Sequence, residues 1–477
     1  MRALNASLVE NRTKLIATVG PSSADAQVLR ALIQEGVDTF RLNFSHGTAD
    51  EHVNTIRRIR KISEELGRYV AVLGDLQGPK IRVVNISEEG RLLKKGQRVT
   101  ITSLGGDADL IIDYEHLLDD IQPGKSIFID DGKIKLRVVE RTGRSLAAEV
   151  LEEGVVLPKK GVNFPDSPLT VPSLTPKDRK DLELAIKEDI DWIALSFVRK
   201  AEDILEVKDI IDEFGGFIKV VAKIEKPEAV RNIEQIIQVA DAVMVARGDL
   251  GVEMPMEEVP LIQKRIVKLS RKAAKPSIVA TQVMESMVER PTPSRAEVSD
   301  VANAVLDGAD AIMLSNETSI GRYPVEVVRF VKRIIRRAEQ EDFIYYRLNE
   351  TASTSPTFLP DMVCYNAAVM AQKTHASGLV GMTRSGFTAF KLASHRPRAA
   401  IFIFSDNRKL LRILRMVWGV EAFYYDAYES TDQTFDDVAR ILLTKKRAAL
   451  NDILVYTASM PIHQRGRTNT IHIRRIT

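Results

Sequence analysis

Residues 192–249 read WIALSFVRKAEDILEVKDIIDEFGGFIKVVAKIEKPEAVRNIEQIIQVADAVMVARGD. Three β-branched apolar runs, Trp192–Val198, Lys219–Glu225 and Ala242–Asp249, alternate with amphipathic stretches. That alternation marks strand–helix units around a parallel sheet. Working outward, the same kind of run recurs at Leu15–Gly20, Thr39–Ser45, Val70–Leu76, Ser277–Met284 and Ala311–Glu317. Each is followed by a helical pattern, as in DAQVLRALIQEG after the first run and PLIQKRIVKLSRKAA after the sixth. Eight such units predict an α/β fold built on a (β/α)8 TIM barrel.

The alternation breaks once, from Pro79 to about Pro172. IFIDDGKIKLRVVE alternates around an Asp-Gly pair, a strong hairpin signal, and GQRVTITS and SLAAEVLEEG continue in that style. This reads as a small all-β domain inserted after the third strand, where it can hang over the active-site face. Beyond the helical VEVVRFVKRIIRRAEQE, periodicity fades into a linker, and from Asp361 a second strand–helix alternation predicts a separate open α/β sheet. The expected bounds are 11–79 and 173–341 for the barrel, 80–172 for the insertion, 342–360 for the linker and 361–477 for the C-terminal domain. In that last domain RKLLRILRMVWGV is apolar enough to be packed, against this chain or another.

A chain of 477 residues exceeds what one hydrophobic core supports, so several domains are required. The formal charge of +3 is small for that length and gives no reason to invoke nucleic acid or a membrane surface. No run of about 18 apolar residues occurs. The single cysteine, Cys364, has no intrachain partner and sits in an apolar helical setting that favours packing over reactivity. A cytoplasmic location is the expectation.

In such a barrel the reacting groups come from the C-terminal strand ends. There the sequence places Thr18, then Arg41, Asn43, Ser45 and His46, then Asp75, Ser196, Lys223 with Glu225, Arg247-Gly248-Asp249, Thr281 with Gln282, and Ser315 with Glu317. Strand ends meet solvent, so a single Ser or Thr is unremarkable there. Lys223 and Glu225 are different, because residues two apart in a strand share a face and buried charge needs a partner. Glu225 and Asp249, on adjacent strands, could hold a hard divalent cation such as Mg2+ or Mn2+. An ion pair of Lys223 with either acid is the plainer alternative. Arg41, Lys80, Arg82 and Lys223, with His46 close by, suit an anionic, phosphate-bearing substrate. There is no GxxxxGK[ST] loop, so any nucleotide phosphates must be held by metal and these side chains.

RLNFSHG, GDLQGPKIR, IDDGKI, KKGVN, LSFVRK, AKIE, VARGDLGVE, ATQVMESM, PTPSRAEVSDVANAVLDGADAIMLS and TNTI, in that order, resemble the pyruvate kinase family over nearly the whole chain. The resemblance implies transfer of a phosphoryl group from phosphoenolpyruvate to ADP, giving pyruvate and ATP, with a lid domain, an effector domain and homotetrameric assembly. It implies that Arg41 holds the transferring phosphoryl group, that Lys223 stabilises charge on it and on the developing enolate, and that Glu225 and Asp249 ligate Mg2+. Gly248 and Thr281 would contact the substrate carboxylate, with Thr281 near the face where the enolate is protonated. Arg82 and Lys160, with Asn43 and His46, would serve the nucleotide, and Asn43, Ser45 and Asp75 would line a monovalent-cation site.

Three departures stand out. The family's better-known Asp-Thr-Lys-Gly-Pro-Glu is here Asp75-Leu76-Gln77-Gly78-Pro79-Lys80, so an ammonium among Asn43, Ser45 and Asp75 would supply the charge of K+ and make K+ unnecessary. Asn316 stands where glycine is usual, tolerable because Asn accepts positive φ. In the C-terminal domain Thr383, Arg384, Ser385, Gly386 and Thr388 form a candidate nest for a sugar-phosphate effector, with Phe387 where a polar or basic residue is common and Arg465 and Arg467 in a late loop; an ordinary helix cap is the competing reading. Other readings of the whole are an Mg2+-dependent aldolase on the same barrel or a non-catalytic metabolite sensor.

Overall fold

The computed structural model describes residues 11–103, 107–427, 430–460 and 466–477. Arg465 lies outside them. Eight parallel strands close into a barrel: Lys14–Thr18, Thr39–Asn43, Ala71–Asp75, Trp192–Leu195, Lys219–Ile224, Ala242–Ala246, Ser277–Ala280 and Ala311–Leu314. The last pairs with the first, Lys14 opposite Ala311. Period-two alternation sorts their side chains. Leu73, Ala194, Val221 and Met244 fill the barrel axis, while Val72, Ile193, Val220 and Val243 face the outer helices. One further step of two residues brings Asp75, Ser196 and Lys223 to the axis at its C-terminal end. The site therefore follows from the same parity that fills the core.

The helices begin where their sequences say they should. Thr48 with Glu51 and Ser294 with Glu297 close capping boxes at the starts of Ala49–Glu65 and Arg295–Asp307. Between the third and fourth barrel strands lie a six-stranded sheet and a two-stranded ribbon, Arg91–Leu93 with Gly154–Val156. They have their own core around Ile101, Ile127, Leu136 and Phe164. The Asp-Gly hairpin joins Ser126–Ile129 to Ile134–Thr142, with Asp130, Asp131 and Gly132 all at positive φ.

The C-terminal sheet has five strands, four parallel and the last, Thr470–Arg475, antiparallel at its edge. Cys364 is fully buried in the core beside this sheet, as a packing residue. The partner of RKLLRILRM is this same chain. Its helix Arg408–Ile413 and the turn Leu414–Met416 send Ile413 and Met416 into the axial cluster of the barrel from below. Trp192 Nε1 donates to Ile413 O at 3.2 Å. Around this plug, Arg412 pairs with Asp191 at 2.7 Å, Arg415 with Asp38, and Arg396 with Asp310 at 3.0 Å.

Candidate active site

At the C-terminal ends of the strands Lys223 is nearly enclosed, and its ammonium would cost several kcal/mol to bury alone. It is not alone. Nζ donates to Ser196 Oγ at 2.7 Å and pairs with Glu225 at 2.9 Å and Asp75 at 3.2 Å. Arg41 Nε donates to Asp75 at 2.7 Å, and its Nη1 to Thr18 Oγ1 at 3.1 Å. Burial by itself would lower the Lys223 pKa, but the carboxylates of Asp75, Glu225 and Asp249 outweigh it and hold the ammonium firmly protonated. Burial would likewise raise Asp75, and the charges of Lys223 and Arg41 prevail, keeping it below the usual carboxylate range. The ion pair of Lys223 with an acid, weighed above as the plain alternative, is thus present.

Asp249 lies in the first turn of the short helix Arg247–Glu253 and keeps its surface exposed in the cleft, although protein crowds it on several sides. That crowding first, then the like charge of Glu225, lift its carboxyl to about 6 against the pull of Lys223. Among the described residues no group of three or more His, Cys, Asp or Glu could cage a metal. Two carboxylates facing one cleft are a donor set of the kind Mg2+ takes, since it commonly uses one or two carboxylates and completes its shell with water and substrate oxygens.

Glu225 is further fixed by a 2.8 Å bond from the amide of Phe197, whose φ is +56°. A left-handed aromatic residue is strained, and nothing in the sequence announces it. Thr281, just past the strand Ser277–Ala280, has φ +66°. Its hydroxyl accepts from Gly248 N at 2.7 Å and donates to Ala280 O at 2.6 Å, so it holds Gly248 rather than facing the cleft. Arg247 clamps the same turn through Asp300 at 2.7 Å and the carbonyl of Thr281.

The cleft, about 180 Å³, brings together Arg41, Asn43, Ser45, Asp75, Lys80, Lys223, Glu225 and Asp249. Gly248, Thr281, His46, Arg82 and Lys160 stand outside its lining. His46 is exposed and accepts at its carbonyl from His52; Arg82 donates to Lys159 O at 2.6 Å; Lys160 pairs with Asp130 at 2.8 Å inside the insertion. Asn43 Oδ1 accepts from Ser45 N at 3.1 Å. Lys80 lines the cleft with them, exposed; no ion pair joins it to Asp75, whose oxygens take Arg41 and Lys223 instead. Gly78, at the hinge before it, needs its φ of +69°, and a Cβ there would meet the Phe197 ring at 2.7 Å.

Two expectations change. Asn316 does not use positive φ but opens the helical turn Asn316–Ser319. Glu317 is fully buried and accepts from the amides of Met284 and Ser315 at 2.9 and 2.6 Å, so it pins two loops and leaves the site.

A larger cavity, about 910 Å³, lies in the C-terminal domain and is lined by Thr383, Arg384, Ser385, Thr388, Arg467 and the barrel's Lys219. Size does not make it the reaction centre: its charged lining, Lys219, Arg384, Asp406 and Arg467, is half-buried or exposed, whereas Lys223, Asp75 and Glu225 are enclosed together in the cleft. Gly386, at φ +87°, lies outside the lining and bonds Thr383 Oγ1 at 3.0 Å; the Thr388 hydroxyl shares a 2.7 Å bond with Thr468. Arg384 faces Asp406 at 3.5 Å.

Residues 10–328 match the family model "Pyruvate kinase, barrel domain" and residues 361–474 match "Pyruvate kinase, alpha/beta domain". Pyruvate kinase of Corynebacterium efficiens is 42% identical over 468 residues, covering 98% of both chains. That of Mycobacterium tuberculosis is 41% identical over 472 residues, also covering 98% of both. The crystal structure of a pyruvate kinase from Cryptosporidium parvum superposes with a TM-score of 0.93 at 31% identity, covering all of this chain and 98% of that one.

Proposed function

The chain belongs to the pyruvate kinase family, and from that we propose that its cleft transfers the phosphoryl group of phosphoenolpyruvate to ADP, releasing pyruvate and ATP. The observation that carries the residue assignments is the buried Lys223, held between Asp75 and Glu225 with Arg41 alongside. Phosphoryl transfer needs positioning and charge neutralisation more than covalent help. Arg41 holds the phosphoryl group, and Lys223 meets charge on it and on the enolate that forms as it leaves. Glu225 and Asp249 would hold Mg2+, which would supply further charge neutralisation for the transfer. Arg82 and Lys160, tethered within the insertion, are proposed to serve the nucleotide from a lid; their support is a pair of cations on the insertion, beside the cleft-lining Lys80 and Gly161. A coupled assay of pyruvate formation tests the proposal: the rate should require ADP and a divalent ion, and no pyruvate from phosphoenolpyruvate under those conditions would end it.

Lys80 is proposed to replace K+. Its support is an exposed ammonium lining the same cleft as Asn43, Ser45 and Asp75. In potassium-free buffer balanced with tetramethylammonium, full activity is expected, and Lys80→Glu should create activation by KCl. Strong KCl activation of the unsubstituted enzyme would refute this. The cavity at Thr383–Ser385 is proposed to take a phosphorylated sugar, supported by its hydroxyls, Arg384 and Arg467. In the same assay such a compound should lower the phosphoenolpyruvate concentration needed for half-maximal rate.

Thr281 is proposed to act on enolate protonation through the turn it holds. Thr281→Ala should therefore lose turnover and proton exchange into pyruvate together, by roughly ten- to a hundredfold, the usual range for a supporting partner. Retention of both would discard the role.

A further inference from the structure

Glu253 ends the helix whose first turn carries Asp249, and its side chain is almost wholly buried. One oxygen, Oε1, takes two donors: the ammonium of Lys226 and, at 2.7 Å, Nδ2 of Asn163. The other, Oε2, is buried with no partner. The two donors come from different places. Lys226 directly follows Glu225, while Asn163 belongs to the insertion, on the strand Val162–Asn163 that pairs with Ser126–Ile129. The hairpin turn beyond that second strand approaches the same helix, since a Cβ built on Gly132 would lie 3.7 Å from Val252 Cγ1.

Asp249 and Glu253 are four residues apart, so they share one face, about 6 Å apart along the axis. The other end of this helix is already tied by Arg247 to Asp300 and by Gly248 to Thr281. A short helix anchored at both ends moves as a unit. Glu253 thus joins the residue after Glu225, the helix of Asp249 and the insertion.

We propose that Glu253 and Asn163 form a latch through which the seating of the insertion sets the spacing of Glu225 and Asp249, making Glu253 a positioning residue for the divalent ion. The inference rests on the assignment of Glu225 and Asp249 to that ion. With the insertion seated as it is here, Asn163 bonds Glu253 and both carboxylates are held; displacing the insertion would break that bond and release them. Metal affinity and domain closure become reciprocal, because any contact that favours one state of the insertion favours the matching state of the site.

The test measures Mn2+ binding to the full-length enzyme by paramagnetic resonance of the free ion, without substrates, for the unsubstituted chain, Asn163→Ala, Glu253→Gln and the double variant. Asn163 lines the cleft, but its amide bonds Glu253 and neither Glu225 nor Asp249, so a side chain that merely lines the wall would leave the coupling with Glu253→Gln at zero. The latch predicts about tenfold weaker Mn2+ binding in each single variant, with an unaltered melting temperature for Asn163→Ala and a double variant no worse than the poorer single one. Unchanged affinity in Asn163→Ala, or effects that simply add, overturns the latch while leaving the metal assignment intact. An unsubstituted enzyme that binds no Mn2+ overturns both. Should Glu253→Gln fail to fold, Asn163→Ala alone decides.

Discussion

Replacing Lys223 by glutamine is expected to lower kcat by at least about a thousandfold, with the barrel still folded. Removing one donor aimed at developing charge costs about a hundred- to a thousandfold in comparable sites. Lys223 should lie at the upper end or beyond, because it carries a full charge and is enclosed. Its removal also leaves Asp75 and Glu225 facing one another with one fewer cation between them. Both losses fall on the transition state, where charge on the phosphoryl group and enolate is greatest, so the fall should appear in kcat more than in KM. Steady-state kinetics on the purified variant checks this, alongside its circular dichroism melt. A kcat within tenfold of the parent would remove Lys223 from the chemistry.

The second large effect is structural. Arg396→Met is expected to destabilise the junction between barrel and C-terminal domain by about 3–5 kcal/mol, the usual consequence of stranding one member of a buried pair. Arg396 is enclosed, its Nη2 bonded to Asp310 at 3.0 Å and Gly308 O at 2.7 Å, with its guanidinium over the Trp418 ring. Asp310 would remain buried, bonded to Ser277 N at 3.0 Å but without its cation. Arg271 offsets a little of this: burial, and then the charge of Arg396, depress its pKa to about 10, so removing Arg396 relieves some repulsion. In a multidomain chain the measurement is a rate, and the half-life of activity on heating should shorten markedly. An unchanged half-life would show that the junction does not depend on this pair.

The barrel was legible because each strand repeats the same local pattern, so errors at one run are corrected by the others. Parity did the rest. Once Val221 is inside, Lys223 must be, and its need for a partner was readable before any partner was seen. Lys80 was readable only as a charge, not as a position, because long side chains at hinges settle according to tertiary neighbours. Glu317 misled for a related reason: it lies just past a strand end, but its carboxylate turns to cap two buried amides. The positive φ of Phe197 and Thr281 and the joint role of Glu253 left no trace in any window of sequence, since each is imposed by elements distant along the chain. The identity of what packs on RKLLRILRM was open for the same reason.

The insertion of Ile413 and Met416 into the axial cluster has a consequence for how this chain can be taken apart. A gene cut at the linker would encode a barrel with a hole in its floor, lined by apolar residues that water would wet. The two lobes share one interior, so neither is a cassette to be moved alone. A working barrel without its C-terminal half would need that floor rebuilt with larger side chains.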